Sequence, residues 1–222
     1  MNERERAGGS GGSRPGLYAD EVIAVKVKAE LRKRMRGLRR AAPAGACEAR
    51  SQKIRERLLS LPRVDAARSI ALFFPIEGRN EVSLVPLDAV LRARGVAIGY
   101  PAIDPESRVM CFRTVPNVDA LEERGFGFRE PGPEHPRLEA PDVVVVPALA
   151  VAPSGHRLGY GAGYYDRALA ESGAWTVAVL YDYQVLADLP TLPHDVPVAY
   201  VVTDARAFEP DLDADVGADP AT

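Results

Sequence analysis

Gly155, Arg157, Gly159, Gly161 and Gly163 fall within nine residues and run directly into Tyr164-Tyr165-Asp166-Arg167. Glycines at alternate positions let a backbone turn tightly and bring its N–H groups close to a ligand. A helix is predicted just after them, over 164–171, and its start adds unpaired N–H donors and a partial positive charge. With Arg157 this makes a site for a polyanion, most simply the phosphate chain of a nucleotide. A mobile glycine loop without a ligand is the alternative, because glycine-rich turns are common. The spacing tests two nucleotide motifs. A Walker A loop is absent, since no Lys follows these glycines. A dinucleotide fingerprint needs Gly-x-Gly-x-x-Gly directly after a strand, whereas here the pattern is Gly-x-Gly-x-Gly and an insert separates it from Pro147. Asp182 lies roughly where a ribose-binding acid would fall, which keeps a nicotinamide enzyme as a third alternative.

The elements that must position this loop read as α/β. Val143-Val144-Val145-Val146 is a short β-branched run of the kind buried on both faces in a parallel sheet, and Pro147 should end it. Further strands are predicted over 69–74, 96–100, 108–115, 175–180 and 198–202, with a turn at 104–107 joining the second and third. Helices are predicted over 20–41, capped by Asp20, over 44–61, and over 84–94, capped by Ser83. In the first helix Val27, Leu31, Met35 and Leu38 share a face. Its other face carries Lys28, Arg32, Lys33, Arg36, Arg39 and Arg40, by itself an ordinary solvated face. Cys47, Ile54, Leu58 and Leu61 share a face of the second helix, so Cys47 reads as a small core residue rather than a nucleophile. His135 sits in a Pro-rich loop and is expected to be exposed.

Bulk properties exclude several classes. The chain has 222 residues, 46% hydrophobic, which suits one α/β domain with a real core. A net charge of −3 gives no global field for nucleic acid or an anionic membrane. No apolar run approaches the length of a membrane span. Two cysteines, Cys47 and Cys111, fit a reducing cytoplasm better than a disulfide scaffold. Residues 1–17 read as a disordered extension and 209–222 as a loose acidic tail, flanking one domain over 18–208. No zinc-type Cys/His cluster and no serine nucleophile elbow is present.

The stretch from Gly155 to Asp166, preceded by an apolar strand and Pro147, resembles the signature of the 5-formyltetrahydrofolate cyclo-ligase family (methenyltetrahydrofolate synthetases): Gly-x-Arg-Leu-Gly-x-Gly-x-Gly-Tyr-Tyr-Asp. The resemblance extends over about residues 28–204. It takes in Lys28-Ala29-Glu30-Leu31-Arg32, the Glu81-Val82 position, Gly125 to Pro131, Gln184, and the turn His194-Asp195-Val196-Pro197. It implies a single three-layer α/β/α domain with a mostly parallel, Rossmann-like sheet. It implies that ATP is held by Lys28 and Arg32, with Lys26 as the alternative register for the lysine, and by Arg157, Leu158, Gly159, Tyr160, Gly161, Ala162, Gly163, Tyr164 and Tyr165. Arg157 and Lys28 would carry the catalysis. The folate would meet Phe74, Glu81, Tyr160, Gly161, Ala162, Gly163 and Tyr164, with aromatic cover from the segment around Phe126 and Phe128. For Glu81, an acid in the first turn of the next helix is the alternative reading. Asp166 and Asp195 would hold Mg²⁺.

The reaction implied is ATP-dependent ring closure of 5-formyltetrahydrofolate to 5,10-methenyltetrahydrofolate. Such phosphoryl transfer asks for in-line positioning and charge neutralisation rather than covalent help. The expected partners are small molecules, ATP and a reduced folate, met by a monomer, with no nucleic acid or membrane. The chain departs from the family pattern at Ala148-Leu149-Ala150-Val151-Ala152, where Gly-Leu-Ala-Phe-Asp is common, and at Ala199, where another Asp is common. A divergent ATP-using enzyme on another N-formyl or pterin-like substrate, or a non-catalytic nucleotide- or folate-binding protein, remain the alternatives.

Overall fold

The computed structural model describes residues 15–211 apart from Pro105, Phe126 and Glu171. The expected N-terminal extension up to residue 14, the tail from 212, and the aromatic cover from Phe126 therefore lie outside the described residues.

Helix α1 spans Pro15–Ala41 and α2 Ala44–Leu59, followed by the short α3 Pro62–Asp65. Strand β1 is Ser69–Ala71, α4 is Val85–Ala93, β2 is Ala97–Ile103 and β3 is Met110–Thr114. A small hairpin follows, β4 Glu122–Glu123 and β5 Arg129–Glu130. Then come β6 Val143–Pro147, a second hairpin of β7 Ala150–Val151 and β8 Arg157–Leu158, α5 Tyr164–Ala170, and β9 Trp175–Val179. Strands β10 Tyr200–Val202 and β11 Ala207–Phe208 close the described chain.

Seven strands form the main sheet in the order β11-β10-β9-β6-β1-β2-β3. The five inner strands run parallel, and the edges β3 and β11 are antiparallel. The valine run lies at the middle of this sheet, between β1 and β9, with Val143 opposite Trp175 and Pro147 opposite Val179. Alternate side chains on a strand leave by opposite faces. Val143 and Val145 pack with Ile54 and Leu58 of α2 and Leu87 and Leu91 of α4. Val144 and Val146 pack on the other side with Leu169 of α5, Ile103, Met110 and Phe112. Both faces are covered, which is why a continuous β-branched run is stable here, and the fold is the expected three-layer α/β arrangement.

Several boundaries differ from the sequence reading, each for a local reason. Helix α1 starts at Pro15, so Asp20 lies inside it and caps nothing. Helix α4 has Leu84 as its N-cap, with no side-chain cap; Ser83 instead joins α2, its N–H donating to Ser51 Oγ at 3.1 Å and its carbonyl accepting from Arg55 at 2.9 Å. Strand β2 runs on through Pro101. Its neighbour β1 ends opposite Gly99, so Pro101 faces only β3, at Phe112. His135 is half-buried beside Glu134 rather than exposed. The start of the tail is held: Asp211 N–H donates to the Pro153 carbonyl at 3.0 Å.

The largest unforeseen element is the β7/β8 hairpin. Its turn needs Gly155, whose φ is +82° and whose added Cβ would stand 2.8 Å from the Val198 carbonyl oxygen. Gly155 therefore shapes a turn and lies apart from the other three glycines. Residues Ala148 to Ala152, where the family pattern carries an aromatic and an acid, are all buried in this hairpin.

Glu130 is a misfit in the same scaffold. Its Oε2 accepts from Ile103 N–H at 2.8 Å, while its buried Oε1 makes no hydrogen bond among the described residues and has only the long 3.8 Å ion-pair contact of Arg124. Burial pushes its carboxyl above the usual glutamate range. Its folded-state value is therefore raised, and the ionised form weighs against folding increasingly as pH rises through that range. Glu130→Gln keeps an acceptor for Ile103 and removes the charge. It is expected to raise Tm at pH 7 by about 2–4 °C, a gain that shrinks as the melts are repeated toward pH 4. A Tm lowered at pH 7 would contradict this account.

Candidate active site

Strand β1 connects through α4 to β2 on one side, while β6 connects through α5 to β9 on the other. The chain direction across the sheet thus reverses between β1 and β6. In open α/β sheets, ligands sit beyond the carboxyl ends of the strands at such a point. A cavity of about 560 Å³ lies there. The loop after β1 gives it Phe74, Ile76, Arg79 and Glu81; the ends of β2 and β3 give Pro101, Ile103 and Met110; the stretch after β6 gives Arg157 and residues 159–166. Helix α1 closes it with Val25, Lys28 and Arg32, and the late turn adds Leu192, His194 and Asp195.

Helix α1 turns inward a face rotated from the one its apolar spacing suggested: Met35 is buried and Leu31 packs beside it as expected, but the other two members are not. Val27 and Leu38 are exposed, and Lys26 is also exposed. Ala24, Lys28, Met35 and Arg39 are buried, with Arg32 half-buried between them. The stripe at 28, 32, 35 and 39 has helical spacing, but three of its four members are cations. Of the two lysines, Lys28 lines the cavity and Lys26 does not.

Those cations meet carboxylates and carbonyls at the cavity. Lys28 Nζ is ion-paired with Asp195 Oδ2, which also accepts from Leu192 N–H at 2.7 Å. Arg32 Nε donates to the Gly159 carbonyl at 2.9 Å. Arg157, buried on β8, donates from Nη1 to the Val196 carbonyl at 2.5 Å and from Nη2 to Asp166 Oδ1 at 2.9 Å. Burial pulls the Arg157 guanidinium below the ordinary arginine range, against the field of Asp166. Burial pulls Arg32 down likewise, against Asp195. Arginine keeps its proton regardless, so these shifts mark cations that have lost solvation and gain from an incoming anion. Lys28, Arg32, Arg79 and Arg157 line the cavity against Glu81, Asp166 and Asp195, leaving it one positive charge in excess.

Among the described residues, none of the backbone N–H groups from Tyr160 to Asp166 donates a hydrogen bond within the protein. Helix α5 is only seven residues long, so these loop amides, more than a helix dipole, are what the segment offers an anion. Gly161 has φ +107°, and a Cβ there would stand 3.3 Å from Arg32 Cζ. Gly161→Ala combines backbone strain on the order of 1–3 kcal/mol with a displaced guanidinium. It is expected to weaken binding of a phosphate-bearing anion at this loop at least about tenfold, measured by titration with a nucleoside triphosphate. Gly159→Ala, with nothing within 4 Å of its added Cβ, should be far milder; equal effects would count against the close-approach argument.

Phe74, Phe128 and Met110 add apolar lining to the same cavity. Glu81 is buried and precedes the first turn of α4, so the helix-dipole reading of this acid fails. Its Oε1 accepts from the Tyr160 hydroxyl at 2.5 Å and from Arg39 Nη2 at 3.3 Å, and its Oε2 accepts from Ile76 N–H at 2.8 Å. Burial, and then Glu81, push the Tyr160 hydroxyl up, so it serves as a donor. The Tyr165 hydroxyl is buried with no partner among the described residues, and burial raises it strongly.

The structure thus brings together Lys28, Arg32, Phe74, Glu81, Arg157, residues 159–165, Asp166 and Asp195, as the sequence suggested. Leu158 is the exception: its side chain packs away from the cavity with Met35 and Leu149. Asp182 is remote from the cavity and bonds Arg206 Nε at 3.0 Å and the Thr203 hydroxyl at 2.9 Å, which removes the resemblance to a ribose-binding acid. Cys47 is a core residue. Gln184 is buried and donates to the Leu149 carbonyl at 2.8 Å, bracing the β7/β8 hairpin. Ala199 is exposed and outside the cavity. Sequence reasoning missed Arg39, which it left on a solvated face; the i, i+4, i+7, i+11 spacing with Lys28 was the available signal.

Asp166 and Asp195 fit a magnesium ion by donor type. Asp166 Oδ2 and Asp195 Oδ1 make no hydrogen bond among the described residues, and both side chains line the cavity. Mg²⁺ is characteristically held by one or two carboxylates together with phosphates and waters. No group of three or more His, Cys, Asp and Glu side chains able to cage a metal occurs among the described residues.

Comparison with known proteins gives the family and the fold. Residues 24–204 match the model of the 5-formyltetrahydrofolate cyclo-ligase family. The chain is 34% identical over 202 residues to a 5-formyltetrahydrofolate cyclo-ligase of Mycolicibacterium smegmatis, covering 84% of this chain and 98% of the relative. It is 28% identical over 169 residues to the cyclo-ligase of Escherichia coli K12, covering 71% and 90%. The NMR structure of Aquifex aeolicus 5,10-methenyltetrahydrofolate synthetase superposes with a TM-score of 0.73 at 31% identity, covering 82% of this chain and 92% of that one. In sequence over most of its length and in fold, the chain belongs to the 5-formyltetrahydrofolate cyclo-ligase family.

Proposed function

We propose that this protein catalyses the ATP-dependent cyclisation of 5-formyltetrahydrofolate to 5,10-methenyltetrahydrofolate, releasing ADP and phosphate. The observation that carries the reading is one cavity lined by two unlike sets of groups. Lys28, Arg32, Arg157 and the unpaired amides of residues 160–166 form one set, and Phe74, Phe128 and the buried Glu81 the other. A triphosphate suits the first, and a flat ring with N–H donors and apolar faces suits the second.

The formyl oxygen on N5 is a poor leaving group. It attacks the γ-phosphorus; an oxygen–phosphorus bond forms, the bond to the β-phosphate oxygen breaks, and ADP departs. N10 then attacks the formyl carbon and loses its proton, and phosphate leaves with the former formyl oxygen. The loop amides and Lys28 orient the phosphates, and Arg157 neutralises charge on the group in transfer. Glu81 accepts from the pterin N–H groups and so sets the distance between the two reactants. Asp166 and Asp195 would hold Mg²⁺, which shields the β- and γ-phosphate charge when bound. No general base is required beyond water and phosphate for the N10 proton. The same reading has a monomer acting in the cytoplasm on small molecules, with Cys47 and Cys111 as free thiols.

The test mixes purified protein, Mg-ATP and 5-formyltetrahydrofolate and follows the absorbance of the methenyl product. A rise that requires both substrates is expected. ATP hydrolysis without that product would favour another N-formyl substrate, and binding without turnover would favour a sensor.

A further inference from the structure

Arg39 takes no part in the mechanism above, yet it is buried at the end of the inward stripe of α1. It does not line the cavity, whereas Glu81 and Tyr160 both do. Its Nη2 donates to Glu81 Oε1 at 3.3 Å and to the Tyr160 hydroxyl, and that hydroxyl donates to the same Oε1 at 2.5 Å. The guanidinium also lies 5.7 Å from the centroid of the Tyr160 ring.

These contacts have a direction. A guanidinium can only donate, so the Tyr160 oxygen accepts from Arg39 and must turn its own proton toward Glu81. The other oxygen of Glu81 is tied to Ile76 N–H, and its backbone carbonyl accepts from the Tyr181 hydroxyl at 3.2 Å. The carboxylate is thus fixed in place and in orientation, and Arg39 holds this arrangement from outside the cavity lining. Helix packing alone does not call for a guanidinium here. Arg39 Nε is buried with no hydrogen bond among the described residues, and an apolar residue of like size would fill the space without that cost.

We infer that Arg39 is a positioning residue for the folate: through Tyr160 and directly, it fixes Glu81 as the acceptor for the N–H edge of the pterin ring. The inference rests on the function proposed above and extends it to a side chain that no ligand touches.

The test measures KM for 5-formyltetrahydrofolate and for ATP separately in wild type, Arg39→Leu, Arg39→Lys and Tyr160→Phe, with Tm for each. Loss of a charge-assisted hydrogen bond predicts a folate KM raised about tenfold or more in Arg39→Leu, with ATP KM unchanged. Arg39→Lys should recover part of that loss, because one donor returns. Tyr160→Phe keeps the Arg39–Glu81 pair and removes the relay, so it should move folate KM in the same direction by less. It also serves as the readout if Arg39→Leu does not fold. An unchanged folate KM, or folate and ATP KM rising together, overturns the inference while methenyl formation by the wild type stands. A wild type that makes no methenyl product overturns both.

Discussion

Arg157→Ala is expected to lower kcat for methenyl formation by about 10³-fold, the order seen when one preorganised donor or arginine is removed from a charge-developing site. The guanidinium is buried on β8, oriented by the Val196 carbonyl and by Asp166 Oδ1. Burial has already pulled it below the ordinary arginine range, so its solvation has been given up before any substrate arrives. Such a cation needs no reorganisation when negative charge grows on the transferring phosphoryl group. Arg157→Lys should not rescue, because a point charge cannot bond Asp166 and Val196 while facing a phosphate. Stopped-flow absorbance separates the step: ATP binding should weaken modestly, and the single-turnover rate should carry most of the loss. A variant with near-normal single-turnover rate would remove Arg157 from the chemistry.

Lys28→Met should damage stability and nucleotide binding together. Lys28 and its partner Asp195 are both largely shielded from solvent, with side chains 5% and 12% exposed. Removing one member of a buried pair costs on the order of 3–5 kcal/mol, since the other charge stays buried. At about 2–4 °C per kcal/mol for a domain of this size, a loss of about 3 kcal/mol lowers Tm by roughly 6–12 °C. The double variant Lys28→Met/Asp195→Asn removes the orphan charge and keeps an acceptor for Leu192 N–H. It should recover most of the Tm while ATP KM stays high. Recovery of both would mean that Lys28 serves the fold alone.

The parts of the site visible from sequence were those whose chemistry is local. Pro147 and the valine run marked the central strand, and Gly159, Gly161, Gly163 and Arg157 marked the loop beyond it, because glycine φ and β-branching act on their own residues. What could not be read was which face of α1 turns inward. Val27 and Leu38 carry the hydrophobic period, yet Lys28, Arg32 and Arg39 are the side chains that point into the protein. Hydrophobic spacing assumes that burial follows apolarity, and a helix whose inward cations meet buried carboxylates violates this. The β7/β8 hairpin escaped because its strands are two residues each, too short for an alternation to register. Pro101 hid the second half of β2, since only the early end of β1 makes a proline acceptable there. Glu81 could be placed by motif, but its tie to Arg39 and Tyr160 depends on contacts across 42 and 79 residues of chain.

The ion pair between α1 and the late turn spans 167 residues. At about 5–20 residues per second on the ribosome, Asp195 is made roughly 8–33 s after Lys28. Throughout that interval Lys28 has no acid to pair with. Synthesis therefore runs ahead of assembly: the Arg39 end of the first helix can meet Glu81 early, while its Lys28 end must wait for an acid made near the close of the chain.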